Sequence, residues 1–176
     1  MIENGKNGMY FIVAFIILAF CWILRNRDKK EMETINKTAT TYPNPSGKNR
    51  GLRNNNPLNI RRSNDKFLGE IQPSGDPAFK QFESTKFGYR AAFRIINTYI
   101  KTGYNTIEKI VSRWAPAKDN NNTSAYIEHV EQRTGINRNT KIETETQKIL
   151  IIQAMTQSET GIKPTLAELK KAYKII

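Results

Sequence analysis

The stretch FGYRAAFRIINTYIKTG, residues 87–103, determines the class of the fold because its apolar side chains recur with the period of an α-helix. Ala91 and Ile95 are four positions apart, and so are Ala92 and Ile96. Side chains three or four residues apart lie on one face of a helix. The spacing predicts a helix over Phe87–Lys101, with Gly103 as its C-terminal cap.

Downstream of this stretch the sequence predicts four further helices. They are expected over residues 105–115, 123–134 and 144–157, and from residue 165 onward. Pro116 stops the first of them and Gly135 the second, while Thr144 and Thr165 each open a capping-box pattern. Trp114, at helical spacing, is expected in the core.

Upstream of the first helix, residues 51–82 are interrupted by many turn-forming residues, with short apolar pieces between them. Such punctuation predicts short β-strands, either as a hairpin or as a three-stranded sheet. Residues 51–176, about 125 in all, have the size of a single domain. The predicted fold class is α+β, mostly helical, with a small β-sheet.

A different kind of segment precedes this domain. Residues 8–24 are apolar and contain no charge, and at ~1.5 Å rise per residue a helix over them nearly spans a ~30 Å hydrocarbon core. Tyr10 and Trp22 lie near its ends, where aromatic rings favour the membrane interface. We therefore predict one transmembrane helix within an anchor over residues 1–27. A cleaved signal peptide and a lipoprotein signal ending at Cys21 are the alternatives.

The charges around the predicted anchor indicate its orientation. Lys6 precedes it and four cations follow directly, so the positive-inside rule places the C-terminal domain in the cytoplasm. This suits a single-pass protein of the host inner membrane that is later carried in the internal membrane of a virus particle. Residues 28–50 are polar and cannot bury a core, so we predict a flexible linker.

The chain is basic, and most of its charge belongs to the C-terminal part. The formal net charge is +12, and residues 1–30 hold 5 of the 28 cations and 2 of the 16 anions, which leaves 23 − 14 = +9. The partner is therefore expected to be anionic: nucleic acid, anionic lipid or an acidic wall polymer. Nucleic acid is the weakest of the three because no helix-turn-helix or basic-helix motif occurs.

Several kinds of chemistry lack the residues that they need. Cys21 and His129 are the only residues of their types, which excludes a disulfide framework and Cys- or His-cluster metal sites. No P-loop, G-x-G-x-x-G or G-x-S-x-G motif occurs. His129 lies among charged neighbours and is expected to be a solvated surface residue. We expect no metal and no cofactor.

Carboxylates remain as candidates for catalysis. Glycoside cleavage needs an acid that stays protonated near neutral pH and usually a second carboxylate. Glu70 lies between Gly69 and Ile71 in an apolar context that predicts a pKa raised by desolvation, although a solvent-facing strand glutamate is the alternative. Asp76 is the next candidate and would serve as the second carboxylate of a hydrolase.

Four polar or aromatic groups are candidate ligand contacts. The amides of Asn55, Asn56 and Asn59 are expected either to hold turns or to bind the N-acetyl groups of a sugar chain. Arg90, on an otherwise apolar helix, either binds an anionic group or extends to solvent. Tyr126 is either a core residue or a stacking platform for a sugar.

The segment RGLRNNNPLNIR, residues 50–61, resembles the R-G-[IL]-R-N-N-N-P-[GL]-N-I opening of a family of small phage and prophage proteins. Further matching motifs follow in order up to about residue 136. They include Leu68-Gly69-Glu70, Gly88-Tyr89-Arg90-Ala91, Arg113-Trp114-Ala115-Pro116 and Asn122-Thr123-x-x-Tyr126. Members are known as virion structural proteins or as lysozyme-like peptidoglycan hydrolases.

The resemblance implies a lysozyme-like domain over residues 51–176 that binds and cleaves the glycan strands of peptidoglycan, with Glu70 as the acid. The expected function is that of a membrane-anchored, virion-associated lytic transglycosylase or muramidase that opens the cell wall locally during infection. The alternative is a non-catalytic virion membrane or structural protein that binds the wall or stabilises the capsid through contacts with capsid proteins.

Overall fold

The computed structural model describes residues 49–176, in which helices surround a small antiparallel sheet. The helices are α1 (Arg50–Arg53), α2 (Thr85–Lys101), α3 (Ile107–Trp114), α4 (Thr123–Thr134), α5 (Glu145–Thr160) and α6 (Leu166–Tyr173), and a 3₁₀ turn covers Ala117–Asp119. The strands are β1 (Glu70–Ile71) and β2 (Gln81–Phe82), which pair Glu70 with Phe82 and Ile71 with Gln81. The predicted α+β class is confirmed, and within the described residues the sheet is the two-stranded alternative.

The N-terminal predictions largely fall outside this part of the chain. The anchor over residues 8–24 and the linker over residues 28–50, except for its last two positions, lie outside the described residues. Between residues 49 and 176, no helix combines the length and the apolar character that a bilayer crossing requires. Asn49 and Arg50, assigned to the linker, are instead the N-cap and first residue of α1, so the folded segment starts slightly earlier than expected.

Helix ends follow the capping signals in the sequence. Both predicted capping boxes are present, at Thr144 and Thr165. Gly135 ends α4 at the expected residue, in the left-handed conformation. Helix α5 continues to Thr160, past the predicted end at residue 157, because its cap is Gly161 with φ 74°. This last turn of α5 matters for the candidate site.

The core is built around α2, which packs against α3, α5, α6 and β2. Ala92, Phe93 and Ile96 of α2 are fully buried, as are the isoleucines at 110 and 152. Each buried aliphatic or aromatic side chain contributes roughly 1.5–3 kcal/mol of transfer free energy. Trp114, expected in the core, is half-buried and packs against it. Helix α1 contacts α5, which brings the asparagine-rich segment to the C-terminal end of α5.

Candidate functional site

The asparagine-rich segment is held mainly by its own amides. Asn56 is fully buried. Its Nδ2 donates to the backbone oxygens of Ile60 and Lys80, both at 2.9 Å, and its Oδ1 accepts from the Ile60 backbone N–H at 2.9 Å. These contacts support the turn-holding alternative for Asn56 and leave its amide no face toward a ligand.

Asn55 also holds the loop against its neighbours. It has a positive φ of 50°, and its Nδ2 donates to the Phe82 backbone oxygen at 3.0 Å while its Oδ1 accepts from Thr85 Oγ1 at 3.1 Å. Helix α2 comes so close that a Cβ on Gly88 would lie 2.1 Å from the Asn55 backbone oxygen. Asn55 is therefore part of the joint between the loop and α2.

Asn59 differs because its amide points to an ionisable group. Its Nδ2 donates to Glu159 Oε2 at 2.8 Å, across 100 residues of sequence. Asn59 has φ 51°, and Gly51 leaves room for it: a Cβ on Gly51 would lie 2.8 Å from Asn59 Oδ1 and 2.8 Å from the Asn56 backbone oxygen. Gly51 thus leaves the space in which the Asn59 side chain lies, and Asn59 in turn binds the Glu159 carboxyl.

Glu159 lies in the last turn of α5 and is half-buried. The Tyr126 hydroxyl, from α4, donates to Glu159 Oε1 at 3.0 Å and also contacts the Met155 backbone oxygen at 3.4 Å. The Asn49 amide donates to the Glu159 backbone oxygen at 3.2 Å. The carboxyl is thus held between α4, α5 and the segment around α1, and we call Glu159, Asn59 and Tyr126 the Glu159 site.

The Glu159 site favours a protonated carboxyl. Burial raises the pKa of Glu159 above its ordinary value, and the hydrogen bonds from Asn59 and Tyr126 only partly oppose this. A position near the C-terminus of a helix disfavours negative charge as well. Burial, together with the nearby carboxylate, raises the pKa of Tyr126 well above its usual range. A glutamic acid that keeps its proton closer to neutral pH is suited to general acid catalysis.

Glu70, the acid expected from the sequence, has the opposite character. Its side chain is 6% exposed and pairs with Lys80, itself 1% exposed, at 2.8 Å. Burial alone would raise the pKa of Glu70, but the hydrogen bonds from Lys80, from Gln72 and from the Phe67 backbone N–H outweigh it and lower the pKa. The prediction of a raised pKa for Glu70 is therefore wrong. Its neighbours in the sequence are apolar, but in the fold the ammonium group of Lys80 lies against its carboxyl and favours the charged form.

Asp76, the second expected carboxylate, is likewise fixed by donors. Its Oδ2 accepts from Arg50 at 2.7 Å and from Asn54 at 2.8 Å, and its Oδ1 accepts from the backbone N–H groups of Ala78 and Phe79. Burial acts to raise the pKa of Asp76, and these bonds lower it far below its usual range. Its contacts organise the turn before β2.

Arg90 and His129 make no hydrogen bond to Glu159, Asn59 or Tyr126. Arg90 Nε donates to the Ile175 backbone oxygen at 2.6 Å, and burial, followed by repulsion from Arg94, lowers its pKa. His129 is half-buried, not solvated as expected, and burial lowers its pKa. No group of three or more potential metal ligands occurs within residues 49–176.

Asn59 and Tyr126, which the sequence predicted as candidate ligand contacts, both donate hydrogen bonds to the carboxyl of Glu159, which the sequence analysis did not single out. A signal for Glu159 exists in the sequence: it follows Ile152 and Met155 at helical spacing, so it continues the buried face of α5. The predicted helix ended at residue 157, so Glu159 lay outside it and was not considered as part of its buried face.

Comparison with known proteins shows a relative among phage proteins. The chain is 44% identical over 130 residues to Protein P5 of Pseudoalteromonas phage PM2, and the alignment covers 71% of this chain and 80% of that protein. No family model matches the chain.

Proposed function

Because the chain belongs to the family of Protein P5 of Pseudoalteromonas phage PM2, we propose that it is a phage virion protein whose folded domain degrades peptidoglycan. The domain is lysozyme-like and cleaves glycan strands, as the motifs of residues 50–136 imply. The predicted anchor at residues 8–24 holds it in the host inner membrane or the virion internal membrane, so that it opens the wall locally at the start of infection. The observation that carries the enzymatic part is the placement of the half-buried Glu159 carboxyl, which the Asn59 amide and the Tyr126 hydroxyl hold at 2.8 and 3.0 Å; its burial raises its pKa.

In this proposal Glu159 donates its proton to the glycosidic oxygen as the bond to C1 of the sugar breaks. The carboxylate that results accepts hydrogen bonds from the Tyr126 hydroxyl and the Asn59 amide, both within 3.0 Å of it. Hydrogen bonds to a charged acceptor are roughly twice as strong as neutral ones, so these donors stabilise Glu159 most once its proton has left. Tyr126 and Asn59 are positioning residues in this scheme.

The partners of Glu159 favour the lytic transglycosylase over the muramidase. Within the described residues, the Glu159 carboxyl accepts hydrogen bonds from an amide and a phenol. The two carboxyls expected from the sequence are bound elsewhere, Asp76 to Arg50 and Glu70 to Lys80. A lytic transglycosylase needs one acid/base residue: after the proton transfer to the glycosidic oxygen, a hydroxyl of the substrate attacks C1 in place of water and gives its proton to the same carboxylate, which restores the acid. Digested wall is then expected to carry anhydro ends, whereas a muramidase leaves reducing ends.

Peptidoglycan digestion by the full-length protein tests the assignment. Purified wild type, Glu159→Gln and Glu70→Gln are compared on isolated peptidoglycan, with soluble muropeptides measured by mass spectrometry. We expect Glu159→Gln to lose about 10²–10⁴-fold in rate, the usual contribution of a general acid. Glu70→Gln is expected to retain activity in proportion to its folded fraction. Wild-type turnover by Glu159→Gln would remove Glu159 from the mechanism, and loss confined to Glu70→Gln would restore the assignment made from the sequence.

The second candidate is a non-catalytic virion membrane or structural protein that binds the wall or stabilises the capsid. The observation that favours it is the binding of Glu70 to Lys80 and of Asp76 to Arg50, because ion pairs of this kind hold both carboxyls as parts of the structure. Co-sedimentation with peptidoglycan without release of any soluble fragment would support this candidate.

A further inference from the structure

A basic cleft of about 750 Å³ lies between α2, residues 60–68 and the end of α3. Its lining includes five cations and one carboxylate, Asp65, for a balance of 5 − 1 = +4. The cations are Arg61, Lys66, Arg90, Arg94 and Arg113. Fields from like charges add inside a concave surface with low-dielectric walls, so this cleft attracts anions. We call it the α2 cleft.

The cations of the α2 cleft outnumber its one carboxylate, Asp65, and none of them forms an ion pair with a carboxylate of the described residues. Arg90 and Arg94 are one turn apart on α2, an arrangement of like charges that destabilises a helix. Arg90 is fixed by its bond to the Ile175 backbone oxygen, and Arg94 is exposed. In the described part of the chain, the cations in ion pairs with carboxylates are Arg50, Lys80, Arg138 and Lys141, and none of these lines the cleft. A ligand anion would remove this repulsion.

Exposed apolar side chains lie beside these charges. Leu68 lines the cleft and is 58% exposed, and Ile71 in the adjoining strand β1 is 42% exposed. Large aliphatic groups at such exposure next to cations suit a ligand with a charged head and an apolar body. The aromatic ring of Tyr99 in the cleft has the Arg113 guanidinium 5.0 Å from its centroid, so one face of the ring already contacts a cation of the chain.

We propose that the α2 cleft binds the phosphate headgroup of an anionic phospholipid, with Leu68 contacting the acyl region. Basic pockets bind such headgroups in other membrane proteins. The cleft is distinct from the Glu159 site, with which it shares no lining residue. It gives the domain a second membrane contact besides the anchor predicted at residues 8–24, and so holds it near the bilayer surface.

Native mass spectrometry of the full-length protein in neutral detergent tests this proposal. Bound lipid is measured for phosphatidylglycerol and for phosphatidylcholine, with inorganic phosphate and a single-stranded DNA oligonucleotide as further probes. The cleft variant is Lys66→Gln with Arg94→Gln, both at exposed positions. The matched control is Lys118→Gln with Lys163→Gln, which removes the same charge from exposed positions outside the cleft. Circular dichroism checks that both variants are folded.

We expect phosphatidylglycerol to bind the wild type in preference to phosphatidylcholine and inorganic phosphate, and the cleft variant to bind it about 25-fold more weakly. Each cation near an anionic lipid surface contributes about fivefold, and two are removed. The control variant should bind within about twofold of the wild type, which is well under the contribution of one such cation. Leu68→Ser should weaken phosphatidylglycerol binding and leave phosphate binding unchanged.

Three results would overturn the proposal. Equal losses in the cleft and control variants would mean that only net charge matters. Tighter binding of the oligonucleotide than of phosphatidylglycerol, with the same dependence on Lys66 and Arg94, would assign the cleft to nucleic acid. Absence of any difference between the two lipids in the wild type would mean that the cleft has no headgroup preference.

Discussion

Replacing Lys80 by methionine should destabilise the protein strongly, because this lysine is buried and compensates a buried carboxylate. Lys80 Nζ lies 2.8 Å from Glu70 Oε1 and 2.7 Å from the backbone oxygen of Asp65. Its side chain is 1% exposed, so methionine keeps most of the packing while the charge and its three donors are lost. Lys80→Met leaves Glu70 with the donors Phe67 N–H and Gln72 only.

The magnitude follows from the burial of the pair. Removing one partner of a buried ion pair costs about 3–5 kcal/mol because the other charge remains uncompensated. Glu70 lines an open cavity that water reaches, which favours the lower end of this range. About 3 kcal/mol corresponds to a decrease in Tm of roughly 8–15 °C for a domain of this size.

Thermal unfolding of the full-length protein, followed by circular dichroism, measures the effect in a double-mutant cycle. Lys80→Met, Glu70→Gln and the double variant are compared with wild type, and the double variant should be more stable than the sum of the single losses predicts. The exposed pair Lys141 and Glu143, with side chains 67% and 64% exposed, supplies the control, since Lys141→Met should shift Tm by no more than about 2 °C. A Tm for Lys80→Met within 2 °C of wild type, or strict additivity in the cycle, would refute the reasoning.

Three further predictions concern the Glu159 site. Glu159→Gln should raise Tm at pH 7. The pKa of Glu159 is raised in the folded protein, so the protein loses stability as pH rises above the unfolded pKa, and glutamine has no charge that burial would penalise. A gain in Tm that persists at pH 4 would contradict this origin. Tyr126→Phe should lower the rate of wall digestion and move the alkaline limb of its pH profile upward, since the hydroxyl lowers the pKa of Glu159; an unchanged profile would show that the hydroxyl does not act through that carboxyl. Gly51→Ala should reduce digestion, measured as rate per folded molecule, more than Gly103→Ala does. A Cβ at Gly51 meets Asn59 Oδ1 at 2.8 Å, whereas an alanine at Gly103 is strained by φ 91° but its Cβ meets no described atom within 4 Å, so its cost falls on folding. Equal rates would mean that Asn59 need not be held in place.

The helices of this domain could be predicted from the sequence because the signals that define them are local. Helix α4 begins and ends at the predicted residues, Thr123 and Thr134, since Asn122 caps its first turn and Gly135 adopts the left-handed conformation after its last. Helix α2 starts two residues before the predicted Phe87, because its first two residues, Thr85 and Lys86, are polar and carry no apolar signal. The choice between a two- and a three-stranded sheet depended on pairing between strands, which the pattern of turns does not specify.

The candidate site was predicted only in part, because its contacts join distant parts of the chain. Asn59 and Tyr126 were nominated as ligand contacts, but the carboxyl that they share lies 100 and 33 residues away from them. Sequence context also misjudged Glu70. Its immediate neighbours are apolar and predicted desolvation, whereas the group that determines its pKa is Lys80, ten residues further along and directed at it by the pairing of β1 with β2.

The two glutamates show how the same side chain acquires opposite properties in one small domain. Both are partly or largely removed from water, which acts to raise the pKa of each. Glu70 pairs with the ammonium group of Lys80, so its carboxylate takes part in a structural ion pair. Among the described residues, the donors to the Glu159 carboxyl are the neutral groups of Asn59 and Tyr126, which hold it in place without supplying a positive charge. Because Glu70 is paired with a cation and Glu159 is held by neutral groups, we propose Glu159, and not Glu70, as the proton donor of the proposed reaction.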